Sequence, residues 1–142
     1  VEAHDEGAPE VVVWGSGTPL REFMHVTDCA AAIVWLAEHL DRERLTQSDI
    51  GQAGLSHINC GSGQEVPIGE AAALIAELVG YRGQLHFDRD KPDGTPRKRL
   101  DCSLLSELGF RPQISLRQGL KETLAWFRAQ KQDGTLRASA AT

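Results

Sequence analysis

Twice in this chain a short β-prone run is cut off by Gly-Ser-Gly. Val11-Val12-Val13-Trp14 ends at Gly15-Ser16-Gly17-Thr18-Pro19, and Ser56 to Cys60 ends at Gly61-Ser62-Gly63. Glycine reaches backbone angles that other residues avoid, and proline lacks a hydrogen-bond donor, so such clusters stop strands. Strands here must be short, and helical patterns fill the space between them. Arg21 to Val26 can be extended, with Arg21, Phe23 and His25 on one face. Thr27 or Asp28 then caps a helix in which Ile33, Leu36, Ala37 and Leu40 recur at i, i+3, i+4, i+7. A second helix is expected from about Ile68 to Val79, with Pro67 before it and Gly80 as its C-terminal cap. Gln84 to Asp88 reads as a strand with Leu85 and Phe87 on one side, and Lys91 to Lys98, KPDGTPRK, reads as a loop. Ser103 to Leu108 is a short helix closed by Gly109. Ser115 opens the last helix through a capping box, Ser115-x-x-Gln118, and Leu116, Leu120, Leu124 and Phe127 form its apolar stripe. Short strands alternating with helices mean an α/β fold, or α+β for the chain taken alone.

The 142 residues suffice for one domain with a core. Residues 1–10 are polar, contain Gly7 and Pro9, and read as a loose segment. Residues 11–130 form the domain, with a charged connection from Asp41 to Gly54. Residues 131–142 read as a disordered tail, because Asp133-Gly134 breaks the last helix and little apolar follows. The only methionine is Met24, so the chain reads as a processed product or a piece of something longer.

Several function classes are excluded on composition. A net charge of −5 argues against a nucleic-acid partner. No apolar run approaches the ~18 residues of a spanning helix, so no membrane partner is expected. Cys29, Cys60 and Cys102 form no CxxC pair, and an odd count suits a reducing, cytoplasmic setting. No metal site is expected. The histidines lack zinc spacing, and the Asp88-Arg89-Asp90 stretch fails as a calcium loop because Pro92 and Arg99 stand at ligand positions.

The usual catalytic and cofactor signatures are missing too. There is no GxGxxG: after Gly61-x-Gly63 the third position is Val66. The one tyrosine, Tyr81, is followed four residues on by Leu85 rather than Lys, so no Tyr-x-x-x-Lys proton relay can form. No catalytic and no cofactor-binding residue is assigned. Two segments remain. In WGSGTPLREF an aromatic ring and a guanidinium flank a glycine turn, a pairing that suits stacking plus phosphate clamping. In KPDGTPRKR, Asp93 sits among Lys91, Arg97, Lys98 and Arg99, which could close over an anion. Core packing for Trp14 and a solvated charged face for the loop are the competing readings.

VVVWGSGTPLREFMHVTD, SHINCGSG and KPDGTPRKRLDCSLLSELGF resemble the C-terminal part of the GDP-L-fucose synthase family, which are extended short-chain dehydrogenase/reductases. The likeness runs from about Val11 to Gln130. REF-x-HV-x-D and LGF-x-P…S-L-x-x-G-L…W-F are shared with the wider sugar-nucleotide epimerase/dehydratases, and KPDGTPRK points to the fucose synthase branch. The resemblance implies that the chain is the substrate-binding C-terminal portion of an enzyme converting GDP-4-keto-6-deoxy-D-mannose to GDP-L-fucose with NADPH. It implies that Trp14, Arg21 and Asp93 contact a GDP-sugar, with Lys98 a further candidate. It also implies that the Rossmann half is absent from this chain. That half would carry the NADPH loop and the catalytic residues, so no NADPH binding or activity is expected of this chain alone. The resemblance further implies a homodimer for the complete enzyme. Two alternatives stay open: another sugar-nucleotide epimerase or dehydratase, and a free-standing nucleotide-sugar-binding or assembly module without catalysis.

Overall fold

The structure is a computed structural model and describes residues 1–40 and 57–136. The expected connection from Asp41 to Gly54, Ser56 of the second β-prone run, and residues 137–142 of the expected tail lie outside the described residues. The elements in order are α1 (Glu2–Asp5), β1 (Glu10–Trp14), β2 (Leu20–Glu22), α2 (Val26–His39), β3 (Glu65–Pro67), α3 (Ile68–Val79), β4 (Gln84–Asp88), β5 (Arg97–Lys98), α4 (Ser103–Glu107) and α5 (Leu116–Gln132). Short strands alternate with helices, as the glycine punctuation requires.

Among the described residues there are two small sheets. In the first, β1 and β4 pair in parallel, with Val11 beside Leu85 and Val13 beside Phe87. Strand side chains alternate between faces, so these four point inward while Val12 and Trp14 point out. In the second, β2 is central: β3 pairs with it antiparallel and β5 parallel, so Arg21 lies between Val66 and Lys98. Helix α3 packs against α5, and Arg117 binds Glu77 through two 2.8 Å hydrogen bonds across that contact. Gly80 ends α3 in the left-handed region at φ 83°, where its N–H reaches the carbonyls of Ala76 and Glu77.

Some elements differ from the sequence reading, each for a local reason. Helix α2 is capped by His25, whose Nδ1 accepts the Thr27 N–H at 3.4 Å; neither Thr27 nor Asp28 is the cap. Asp28 instead turns inward, only 5% exposed, and its Oδ2 accepts the N–H groups of Gln113 (3.0 Å) and Ile114 (2.8 Å). A buried carboxylate must be bonded, so this contact fixes the rotation of α2. Asp28, Ala32 and Leu36, four apart, face in, and Ile33 and Ala37 of the expected stripe face out.

His57 to Cys60 makes no strand; there Asn59 Nδ2 donates to the Asp101 carbonyl at 3.1 Å. The loop from Lys91 to Lys98 ends in β5, because Arg97 and Lys98 join the edge of β2. Residues 1–10 contain α1, held by a Tyr81 hydroxyl donating to the Ala8 carbonyl (3.0 Å) and by Lys131 on Asp5 (2.8 Å). The Ser115 capping box is one-sided. Ser115 Oγ accepts the Gln118 N–H, but the Gln118 side chain donates to Glu122.

Candidate functional site

The two sheets meet at the turn from Gly15 to Pro19. Gly15 extends the first sheet, its N–H on the Asp88 carbonyl at 2.8 Å. The turn then folds over the start of α3, where Pro67 offers no side-chain cap. The orphan N–H groups there are taken by turn carbonyls instead: Ile68 N–H by Pro19 (3.0 Å) and Gly69 N–H by Gly17 (2.8 Å). The turn's course is therefore fixed by a helix end.

Asp93, from the KPDGTPRK loop, locks the same turn from outside. Its Oδ1 accepts the Ser16 N–H at 2.5 Å and its Oδ2 the Ser16 hydroxyl at 2.8 Å. These bonds, the backbone one first and the hydroxyl second, hold the Asp93 carboxyl below the usual range. Gly15 has φ 85°, and a Cβ there would fall on the Asp93 side chain, so only glycine fits.

The candidate residues surround this junction. Trp14 ends β1 and is 71% exposed, so it is not a core residue; Lys91 Nζ lies over its ring, 5.6 Å from the centroid. Arg21 and Lys98 are register partners on adjacent parallel strands, so their side chains leave the same face. Gly94 approaches the Arg21 guanidinium: a Cβ there would be 3.9 Å from Nη2. Arg21 Nη1 donates to the Leu20 carbonyl (2.7 Å), which holds the head in place; among the described residues its other guanidinium N–H groups make no hydrogen bond.

The structure also separates the loop's cations. Arg97 is engaged by Glu65, with Nε on Oε1 at 2.8 Å and Nη2 on Oε2 at 2.5 Å, and Arg99 lies 3.9 Å from the same carboxylate. Among the described residues Lys98, Lys91 and Arg21 make no ion pair. Adjacent cations without a carboxylate between them favour an anion.

Three organising residues were not singled out by sequence reasoning. Ser16 receives Asp93, and Glu65 takes Arg97. Glu22 accepts the Gly63 N–H (2.5 Å) on one oxygen and the Leu100 N–H (3.2 Å) on the other. The available signal was a glutamate within a strand-forming stretch, a residue type that strands disfavour.

The model of the NAD dependent epimerase/dehydratase family matches residues 1–51. GDP-L-fucose synthase 1 of Arabidopsis thaliana is 53% identical over 126 residues, covering 89% of this chain and 35% of that protein. GDP-L-fucose synthase of Escherichia coli K12 is 51% identical over 126 residues, covering 89% of this chain and 38% of that protein. A crystal structure of a GDP-L-fucose synthetase from Naegleria fowleri bound to NADP aligns with a TM-score of 0.73 at 27% identity, covering 92% of this chain and 38% of that one. The chain thus spans about a third of the length of the curated relatives it matches. Among the described residues no helix is long and apolar enough to cross a membrane. With about half of its aligned residues shared across most of its length, the chain is a homologue of GDP-L-fucose synthase in the NAD-dependent epimerase/dehydratase family.

Proposed function

We propose that this chain is the substrate-binding C-terminal portion of a GDP-L-fucose synthase. In that reading it holds the GDP moiety of GDP-4-keto-6-deoxy-D-mannose while the rest of the enzyme performs 3,5-epimerisation and 4-reduction with NADPH. The observation that carries it is the pairing of Arg21 with Lys98 on one face, with no carboxylate partner among the described residues; Trp14, at the end of the neighbouring sheet, is exposed. A guanidinium fork and an ammonium suit a diphosphate, and the indole offers a face for the guanine or a sugar. Asp93 and Ser16 hold the turn that aims Trp14. Binding energy gathered here, remote from the reacting carbon, would serve to position that carbon.

Among the described residues, the Gly15–Gly17 turn does not fit the dinucleotide. The Gly15–Gly17 turn leads into β2 rather than a helix, and Gly17 is packed against Phe87 and Gly69, which closes the space a pyrophosphate needs. No step of the reaction is therefore assigned to this chain's own side chains, and its role is binding and orientation.

Calorimetric titration with GDP, UDP and NADPH tests the reading. GDP is expected to bind, and more tightly than UDP, with no heat from NADPH. Equal affinity for UDP would favour another sugar-nucleotide epimerase or dehydratase. Absence of binding by either nucleotide would remove the reading altogether.

A further inference from the structure

The sheet of β3, β2 and β5 sorts its charges by face. Side chains alternate along a strand, and register partners share a face. Arg21, Val66 and Lys98 are partners on one face; Leu20 with Pro67 and Arg97, and Glu22 with Glu65, stand on the other. Both carboxylates of these strands are therefore kept away from Arg21 and Lys98. Two carboxylates opposite each other repel unless each has its own partner. Glu65 has Arg97, Nε on Oε1 at 2.8 Å. Glu22 makes no ion pair among the described residues and takes backbone N–H groups instead. Its Oε2 accepts the Leu100 N–H at 3.2 Å, and its Oε1 the Gly63 N–H at 2.5 Å, on the segment leading into β3. One half-buried carboxylate thus ties the chain beside both outer strands to the central one. Gly61 makes room for it, because a Cβ there would stand 2.7 Å from Oε1.

We propose, resting on the reading that Arg21 and Lys98 hold a nucleoside diphosphate, that Glu22 is the residue that positions Lys98 for it. Strand β5 is two residues long and both are exposed, so burial does little to hold it. At its start the Leu20 N–H holds the Pro96 carbonyl at 2.9 Å. The ladder ends where Arg21 stands beside Lys98. Past that end, Glu22 catches Leu100 and keeps Lys98 abreast of Arg21, so that ammonium and guanidinium reach one diphosphate together. A carboxylate suits the task, because an ionised acceptor makes stronger bonds to N–H than a neutral one and offers an oxygen to each donor. Glutamine has a single acceptor oxygen, and its amide nitrogen would face an N–H it cannot bind. Glu22 acts through the backbone and touches no ligand itself.

Calorimetric titration of the 142-residue chain with GDP, run as a cycle of Glu22→Gln and Lys98→Ala, tests this. Lys98→Ala should weaken GDP binding by about tenfold or more, as for a lost hydrogen bond between charged groups. Glu22→Gln should weaken it severalfold in the parent, but by less than about twofold once Lys98 is alanine, since nothing is then left to position. Thermal melts run alongside set the concentration of folded chain. Should Glu22→Gln fail to fold, Gly61→Ala takes its place: the added methyl displaces the carboxylate without removing it, and its effect should depend on Lys98 in the same way. A loss of equal size in both backgrounds would make Glu22 a structural residue only. That result, an unchanged GDP affinity in Glu22→Gln, or a Lys98→Ala chain that binds like the parent would each overturn the proposal. A parent chain that does not bind GDP would overturn the underlying reading and this proposal with it, an outcome told apart because it appears before any substitution is made.

Discussion

At the scale of single residues, Trp14 separates binding from stability. A side chain 71% exposed contributes little to the fold, so Trp14→Ala should leave the melting temperature nearly unchanged. If the indole stacks on the nucleotide, the same change weakens GDP binding by about 1–3 kcal/mol. Arg21→Ala should weaken it by about 1.5–3 kcal/mol, the range for a hydrogen bond to a charged group. Titration beside thermal melts checks both, and a large drop in melting temperature with unchanged affinity would return Trp14 to a packing role. Asp93 makes the opposite prediction. Its carboxyl is held below its ordinary value of 3.8, chiefly by the Ser16 N–H. A depressed folded value means that the ionised form supports the fold. That support is complete above the unfolded value and fades as pH falls through the lower, folded one. Asp93→Asn should therefore lower the melting temperature at neutral pH, with the gap to the parent closing as both are acidified. A gap independent of pH would mean that the carboxylate charge plays no part.

At the scale of elements, Gly80 is the sharpest test of the helix ends. At φ 83° any L side chain is strained, although space is open there, with His4 Nε2 the nearest atom at 3.8 Å. Gly80→Ala should cost about 1–2 kcal/mol of stability by denaturant titration, from backbone strain alone; no measurable loss would show that α3 can end otherwise. This cap, the bounds of α3 and β4, and the Ser115 cap were all legible in the sequence. Each rests on local signals: a left-handed glycine, alternation at Leu85 and Phe87, a serine before a helical stripe. What stayed illegible depends on partners distant in sequence. Ile33 and Ala37 fit a helical stripe, yet Asp28 turned the other face inward because it bonds Gln113 and Ile114. His57 to Cys60 has strand character but makes no ladder. At the candidate site, Trp14 and Arg21 stand out as residue types beside a glycine turn. The assignment of Asp93 to Ser16 and of Arg97 to Glu65, which leaves Lys98 without an ion pair among the described residues, could only come from the folded chain.

At the scale of the whole molecule, the apolar surface is unevenly placed. Val26, Ala30, Ile33, Val34 and Ala37 follow helical spacing along α2 and are all exposed, Val26 at 75% and Ile33 at 62%. The parallel pair β1–β4 likewise turns Val12 and Trp14 outward, although parallel strands are ordinarily covered on both faces. A helix apolar on its outer side is poorly matched to water. In the proposed reading, the part of the enzyme beyond this chain covers the α2 stripe. The 142-residue chain on its own should then bury it against a second copy, because a contiguous apolar patch of several hundred Å2 is near the limit for soluble monomers. Light scattering across a concentration series should show mass rising with concentration. Ile33→Glu, which puts a charge at the centre of the stripe without touching the inward face of Asp28, Ala32 and Leu36, should hold the chain monomeric while leaving its melting temperature close to the parent's at low concentration. A parent chain that stays monomeric at the highest concentration, or an Ile33→Glu chain that associates just as readily, would show that this stripe is not an unsatisfied surface.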